Sequence, residues 1–278
     1  MTPLETPQLA TVADVVAAVH RRYDPATAES WDAVGLVCGD PGAVVRRVLV
    51  AVDVVRATVE EALDLGCDLL LTHHPLLLHP VSSVAATTPA GELVHRLVRG
   101  GCALLAAHTN ADVALDGVSD ALASLLGIRS TAPLVPTVVG AVTGLGRLGA
   151  LTEAMTLRGF AELVRDMLPA TAHGVRVAGD PDQIVRRVAV IGGSGSDALS
   201  AATASGVDVV LTSDLKHHVM SDHLAGGGPA VIDVAHFASE WPWVPLIAAL
   251  VSADLSDLGY EVDVRVSSIV TDPWTFRP

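Results

Sequence analysis

The sequence predicts an α/β protein made of two related halves, each with a mainly parallel or mixed sheet flanked by helices. Three observations predict it. Apolar runs of strand length alternate with segments of helical period. A block of the first half recurs in the second at a constant offset. Histidines and carboxylates stand where the apolar runs stop, at the strand ends where open α/β sheets place their ligands.

Taken in order, Val12, Val15, Val16 and Val19 give residues 11–22 a helical stripe, with Thr11 as its N-cap. Residues 47–53 (RVLVAVD) read as a buried strand. Residues 55–65 read as a helix with Glu60 and Glu61 outward, ended by Gly66. A strand follows over 67–72, then a helix over 90–99. Residues 102–107 (CALLAA) form a further strand, ending at His108. This β-α-β-α-β series implies parallel strands with helices on the faces of the sheet.

The second half repeats the first. Val48-Leu49-Val50-Ala51 matches Val188-Ala189-Val190-Ile191, and the run from Gly66 to Thr72 matches the run from Gly206 to Thr212, both at an offset of 140. The shared Gly-x-Asp and Leu-Thr at one register favour an internal duplication over the general likeness of strand-helix-strand units. His108-x-x-x-Asp112 matches His236-x-x-x-Glu240 at the shorter offset of 128. The halves are expected at 1–130 and 131–278. A stretch rich in Pro and Gly, from about 127 to 182, joins them and carries an amphipathic helix near 158–168. Gly144-Leu145-Gly146-Arg147-Leu148-Gly149 lacks the strand-to-helix setting of a phosphate loop.

Composition narrows the function. Of 278 residues, 50% are hydrophobic and 17% charged, which suits a large core and argues against disorder. The net charge of −14 argues against a nucleic-acid surface. A nucleotide substrate stays open, because bound cations invert the local field. Cys38, Cys67 and Cys102 have no metal-motif spacing and read as reduced thiols of a cytoplasmic protein. The first residues, including Glu5, do not read as a signal peptide, and no apolar run reaches membrane-spanning length.

Four places put ligand-type residues after apolar strands: His73-His74, His108 with Asp112, Asp214 to His218, and His236 with Glu240. Neighbours on an extended strand point to opposite faces, so one metal could hardly take both His73 and His74, whereas two metals could take one each. A two-metal site holds its ions roughly 3.5–4 Å apart with at least one bridging group. Taken singly, Asp112 reads as a helix cap and His236 with Glu240 as an ordinary i,i+4 pair. Their joint occurrence at strand ends favours metal. The isolated His20, His79, His95, His173 and His223 read as structural or merely exposed.

These residues carry a resemblance. Ser30-Trp31-Asp32-Ala33-Val34-Gly35-Leu36, Leu71-Thr72-His73-His74-Pro75, His108-Thr109-Asn110-Ala111-Asp112, Gly192-Gly193-Ser194-Gly195, the run Leu211 to His218, and His236-Phe237-Ala238-Ser239-Glu240 resemble the Nif-three-like family. Its members are also labelled GTP cyclohydrolase I type 2 homologues or dinuclear metal centre hexameric proteins. The resemblance implies a Nif-three-like fold and two divalent metal ions per chain, zinc, iron, manganese or nickel. It implies His73 and Asp112 on one metal, His74 and His236 on the other, and Glu240 as the bridge. It also implies a toroidal homohexamer. The joining stretch is too short for the third domain that longer relatives insert. Ser213 and Asp214 occupy the repeat positions of His73 and His74, so one composite site per chain is expected.

The expected function is a metal-dependent hydrolase acting on a nucleotide or related small molecule. The family label suggests formate-releasing ring opening of GTP; phosphoester hydrolysis would use the same metals. A non-catalytic metal-binding scaffold, adaptor or metal carrier is the alternative from another class. Lys216, the only lysine in the chain, together with His217 and His108, are the candidate catalytic residues. His218 is a further candidate proton carrier, and Asp32 a loop-fixing carboxylate near the site.

Overall fold

The computed structural model describes residues 9–278; Glu5 and the rest of the N-terminal stretch lie outside them. A short strand, β1 (Ala10–Thr11), leads into α1 (Val12–Arg22). Thr11 caps this helix. Its hydroxyl accepts the Asp14 N–H, and its own backbone N–H donates to the Asp14 carboxylate at 2.8 Å, so donors at the helix start are satisfied reciprocally. Next come β2 (Gly35–Cys38) and β3 (Val44–Val45), the latter paired with β1.

The expected alternating series follows as β4 (Arg47–Ala51), α2 (Arg56–Asp64), β5 (Leu69–Thr72), α3 (Pro89–Gly100) and β6 (Ala103–Ala106). β4, β5 and β6 are parallel, and β2 adds antiparallel to β6. Leu69, Leu70 and Leu71 are all fully buried, so both faces of β5 are covered. Each such side chain contributes roughly 1.5–3 kcal/mol. On one face Leu49, Leu70 and Leu104 pack with Val59 and Ala62 of α2 and with Leu93 and Leu97 of α3.

α4 (Thr109–Val113) is followed by α5 (Val118–Leu125), β7 (Ile128–Pro136), β8 (Gly144–Thr156) and α6 (Leu157–Met167). Then come β9 (Arg176–Ala178), β10 (Ile184–Ser194), α7 (Leu199–Ala204), β11 (Val209–Ser213), α8 (His217–Ala225), β12 (Ala230–Val234) and α9 (His236–Glu240). The strands form a sheet in the order β7-β8-β10-β11-β12-β9, with β10, β11 and β12 parallel.

Much of the stretch expected to join the halves is therefore sheet. β7 and β8 are long antiparallel strands, and the glycines of the Gly144–Gly149 run let them approach. A Cβ on Gly144 would meet the Val135 carbonyl oxygen at 2.2 Å, and one on Gly149 the Arg129 carbonyl oxygen at 2.7 Å. Arg147 between them is buried. Its guanidinium donates to both Asp120 carboxylate oxygens and to the carbonyls of Gly144, Gly146 and Ala114, all at 2.5–2.8 Å, which uses its full set of five N–H donors.

The duplication extends to backbone detail. β4 and β5 pair Val48 with Leu69, and β10 and β11 pair Val188 with Val209, the same register at an offset of 140. Asp68 accepts the backbone N–H groups of Arg46 and Arg47, and Asp208 accepts those of Arg186 and Arg187.

The chain closes with α10 (Trp243–Asp257) and β13 (Asp263–Val266), and β13 pairs parallel with β4. Two compact units result. One holds residues up to Ala111 with Val244–Ile269; the other holds Asp112–Trp243 with Val270–Pro278. This division differs from contiguous halves at 1–130 and 131–278. The pairing of β13 with β4 returns a C-terminal segment to the first sheet, and α5 packs on β7, β8 and β10 of the second. Among the described residues no helix is long and apolar enough to cross a membrane.

Candidate metal centre

In the first unit, β4, β5 and β6 end in register at Ala51, Thr72 and Ala106. One or two residues beyond those ends stand Asp53, His73 with His74, and His108. Parallel strands bring these distant residues to one sheet edge. The rings of His73 and His74 have centroids 5.1 Å apart. His108 lies 5.2 Å from the first and 5.6 Å from the second. One nitrogen from each imidazole falls within 4.8 Å of the other two.

This overturns the expectation that His73 and His74 face apart. β5 ends at Thr72, and the next two residues leave the extended geometry. The backbone N–H groups of both His73 and His74 turn to the Val52 carbonyl, at 3.1 and 2.9 Å. The Thr72 hydroxyl donates to the His74 carbonyl at 2.9 Å and helps fix that turn.

Each imidazole is held by its Nδ1. That of His73 bonds the Ala107 carbonyl at 2.9 Å, that of His74 the Asp53 carboxylate at 2.7 Å, and that of His108 the Asp32 carboxylate at 2.8 Å. With Nδ1 tied to an acceptor, Nε2 is the nitrogen that would carry a cation. This is the usual way metal-binding imidazoles are oriented. His73 is fully buried.

Asp32 is the loop-fixing carboxylate expected from sequence. It accepts the Thr109 N–H at 3.0 Å, the Thr109 hydroxyl, the Ala33 N–H and the His108 imidazole. Burial alone would raise its pKa. The hydrogen bonds from Thr109, His108 and Ala33 outweigh burial and hold the carboxyl below its usual range. His108 is pushed down, first by burial and then by the His73 imidazole, so it favours the neutral form that binds metals.

In the second unit, β11 ends at Ser213 beside Val234 of β12. His236 opens α9, and its Nδ1 meets the Asp214 carboxylate at 2.7 Å. Its Nε2 lies 2.8 Å from Oε1 of Glu240, one turn along the helix, and Glu240 is buried. Gly193 makes room for this pair. It has φ +69°, and a Cβ there would sit 2.5 Å from Glu240 Oε1 and 3.1 Å from His236 Nε2. Ser239 locks the surroundings: its hydroxyl accepts the Gly193 N–H and the Ser213 hydroxyl, and donates to the His236 carbonyl.

Asp112 stands on α4, one turn after His108 in sequence. Lys216, His217 and His218 are exposed at the start of α8, two to four residues past Asp214. His217 lines a cavity of about 290 Å³ with Leu215, Met220 and Asp233. Sequence reasoning missed Asp53, and it gave His108 a catalytic role where the geometry adds it to the imidazole cluster.

The family model for Duf34/NIF3 (NGG1p interacting factor 3) matches residues 10–273. The chain belongs to the DUF34/NIF3 family. Within the family, it is 48% identical to a GTP cyclohydrolase 1 type 2 homolog of Streptomyces coelicolor, over 95% of this chain and 93% of that protein. A homolog of the same name from Mycobacterium tuberculosis is 36% identical over 369 aligned positions, covering 95% of this chain and 96% of that protein. That alignment is longer than this chain, so the mycobacterial protein carries a segment absent here. A Bacillus cereus protein related to NIF3 superposes with a TM-score of 0.89 at 25% identity, covering 97% of this chain and 100% of that one. A Staphylococcus aureus hypothetical protein gives 0.88 at 28% identity, with the same coverage.

Proposed function

We propose that this DUF34/NIF3 protein is a cytoplasmic, metal-dependent hydrolase of the GTP cyclohydrolase 1 type 2 kind. It would hold two divalent cations on His73, His74, Asp112, His236 and Glu240, and assemble as a toroidal homohexamer. The observation that carries the reading is the bracing of the imidazoles. His73, His74, His108 and His236 each have Nδ1 tied to a carbonyl or carboxylate, as metal-binding imidazoles do.

The donor set fits the group. It is imidazole and carboxylate without thiolate, which suits zinc, iron, manganese or nickel. Divalent cations held there supply Lewis acidity and acidify water at neutral pH. The chain's own residues do the rest. Asp53 and Asp214 fix the rings of His74 and His236, Asp32 fixes His108, and Lys216 offers a compact positive charge to an anionic substrate.

The test is product analysis on metal-loaded protein. Formate release from GTP supports ring opening, and phosphate release supports a phosphoesterase at the same site. Bound metal with neither product across a broad nucleotide panel would overturn the hydrolase reading in favour of a metal-binding scaffold or carrier.

A further inference from the structure

We propose that Trp31 forms the wall of a ring-binding subsite beside the imidazole cluster, where a planar heteroaromatic ring of the ligand stacks. Trp31 is 55% exposed in a chain with few aromatic residues. A single exposed apolar side chain is ordinary on a protein surface. What sets this one apart is how firmly it is held and where.

Its ring packs edge-on against His108, with centroids 5.9 Å apart at 77°. The backbone on both sides is stapled to the start of α4. Before it, the Glu29 N–H donates to the Thr109 hydroxyl oxygen at 2.9 Å. After it, the Asp32 carboxylate accepts the Thr109 N–H and hydroxyl and the His108 imidazole. The Asp32 N–H closes the turn onto the Glu29 carbonyl at 3.0 Å. An indole kept in water on a loop fixed to the cluster has its ordering cost met before any ligand arrives, which is how a recognition surface is pre-organised. An indole face recognises π-systems rather than isolated phosphate or carboxylate groups. The ligand class is therefore one with a planar ring, such as a purine nucleotide.

This subsite rests on reading the imidazole cluster as part of a metal centre. The test uses full-length, zinc-loaded protein and two probes, guanosine monophosphate and ribose 5-phosphate, which shares the sugar phosphate but lacks the ring. Trp31→Ala should weaken guanosine monophosphate binding roughly tenfold to a hundredfold, the scale of one base–aromatic stack. Trp31→Phe should keep most of the affinity. Ribose 5-phosphate affinity, metal content and elution volume should not change. Should Trp31→Ala fail to fold, Trp31→Leu carries the same expectation.

The subsite is overturned if wild-type protein binds no guanosine monophosphate, if Trp31→Ala binds it equally well, or if both probes weaken alike. Loss of metal or a changed assembly in Trp31→Ala would overturn it too, making Trp31 a structural support or a subunit contact. Protein that binds no metal yet binds guanosine monophosphate through Trp31 would sink the metal reading alone. Two bound metals with ligand affinity indifferent to Trp31 would sink the subsite alone.

Discussion

The two repeats share a scaffold and divide its chemistry unequally. At the offset of 140, Asp53 corresponds to Gly193, His73 to Ser213, and His74 to Asp214. In the first unit, Asp53 past the end of β4 braces His74 past the end of β5. In the second, the position of His74 holds Asp214, which braces a histidine from the next strand end. The position of Asp53 holds Gly193, whose missing side chain admits the His236–Glu240 pair. A duplicated frame can thus keep its strand register while its loop positions exchange the roles of donor, brace and gap. The register also separates His108 from His236. β6 and β12 align at an offset of 127, with Ala103 and Ala230 paired to Leu69 and Val209, whereas the two histidines differ by 128. Counted from Ala103 and Ala230, His236 therefore stands one residue further along than His108, and β12 runs one residue longer than β6, so each histidine lies two residues past its strand.

The largest expected effect probes a feature of the second sheet, the buried Arg147 of β8. Asp120→Ala would leave its guanidinium buried and short of two hydrogen bonds, at a cost of about 3–5 kcal/mol. Denaturant unfolding measures it. A loss below about 1 kcal/mol would show that Arg147 does not anchor that edge.

The next largest effect tests the exchange of roles directly. Asp53→Ala and Asp214→Ala each remove a carboxylate that orients an imidazole, so each should weaken metal binding about tenfold to a hundredfold with the fold intact. Competition with a chelator measures both. If only one variant weakens binding, the two braces are not counterparts.

The smallest effect is a difference close to zero. Asp68 and Asp208 accept the same pair of backbone N–H groups in the two repeats. Asp68→Ala and Asp208→Ala should each cost about 2 kcal/mol, as hydrogen bonds to a charged acceptor do, and the two values should agree closely. A large disparity would break the structural equivalence of the repeats.

The sequence made the α/β series legible because buried parallel strands leave continuous apolar runs, as in Leu69–Leu71, and because capping residues such as Thr11 mark helix starts. β7 and β8 escaped, since Pro133, Pro136 and the glycines of 144–149 read as breakers. In the fold those glycines serve close strand approach. The places of His73, His74 and the His236–Glu240 pair past strand ends were legible from motif and position. Asp53 was not, because one acidic residue after a strand has no spacing of its own; its correspondence to Gly193 was the signal available. His108 was placed near the site, but its membership of the imidazole cluster depends on β5 and β6 ending side by side, which no local pattern records.

The proposed two-metal centre counts His74 and Glu240 among its ligands. Elemental analysis of purified wild-type protein beside the His74→Ala, Glu240→Ala double variant tests it most directly. Two metals per chain are expected in the wild type, with loss of most metal from a variant that stays folded and assembled. Retention of two metals per chain in that variant would contradict it.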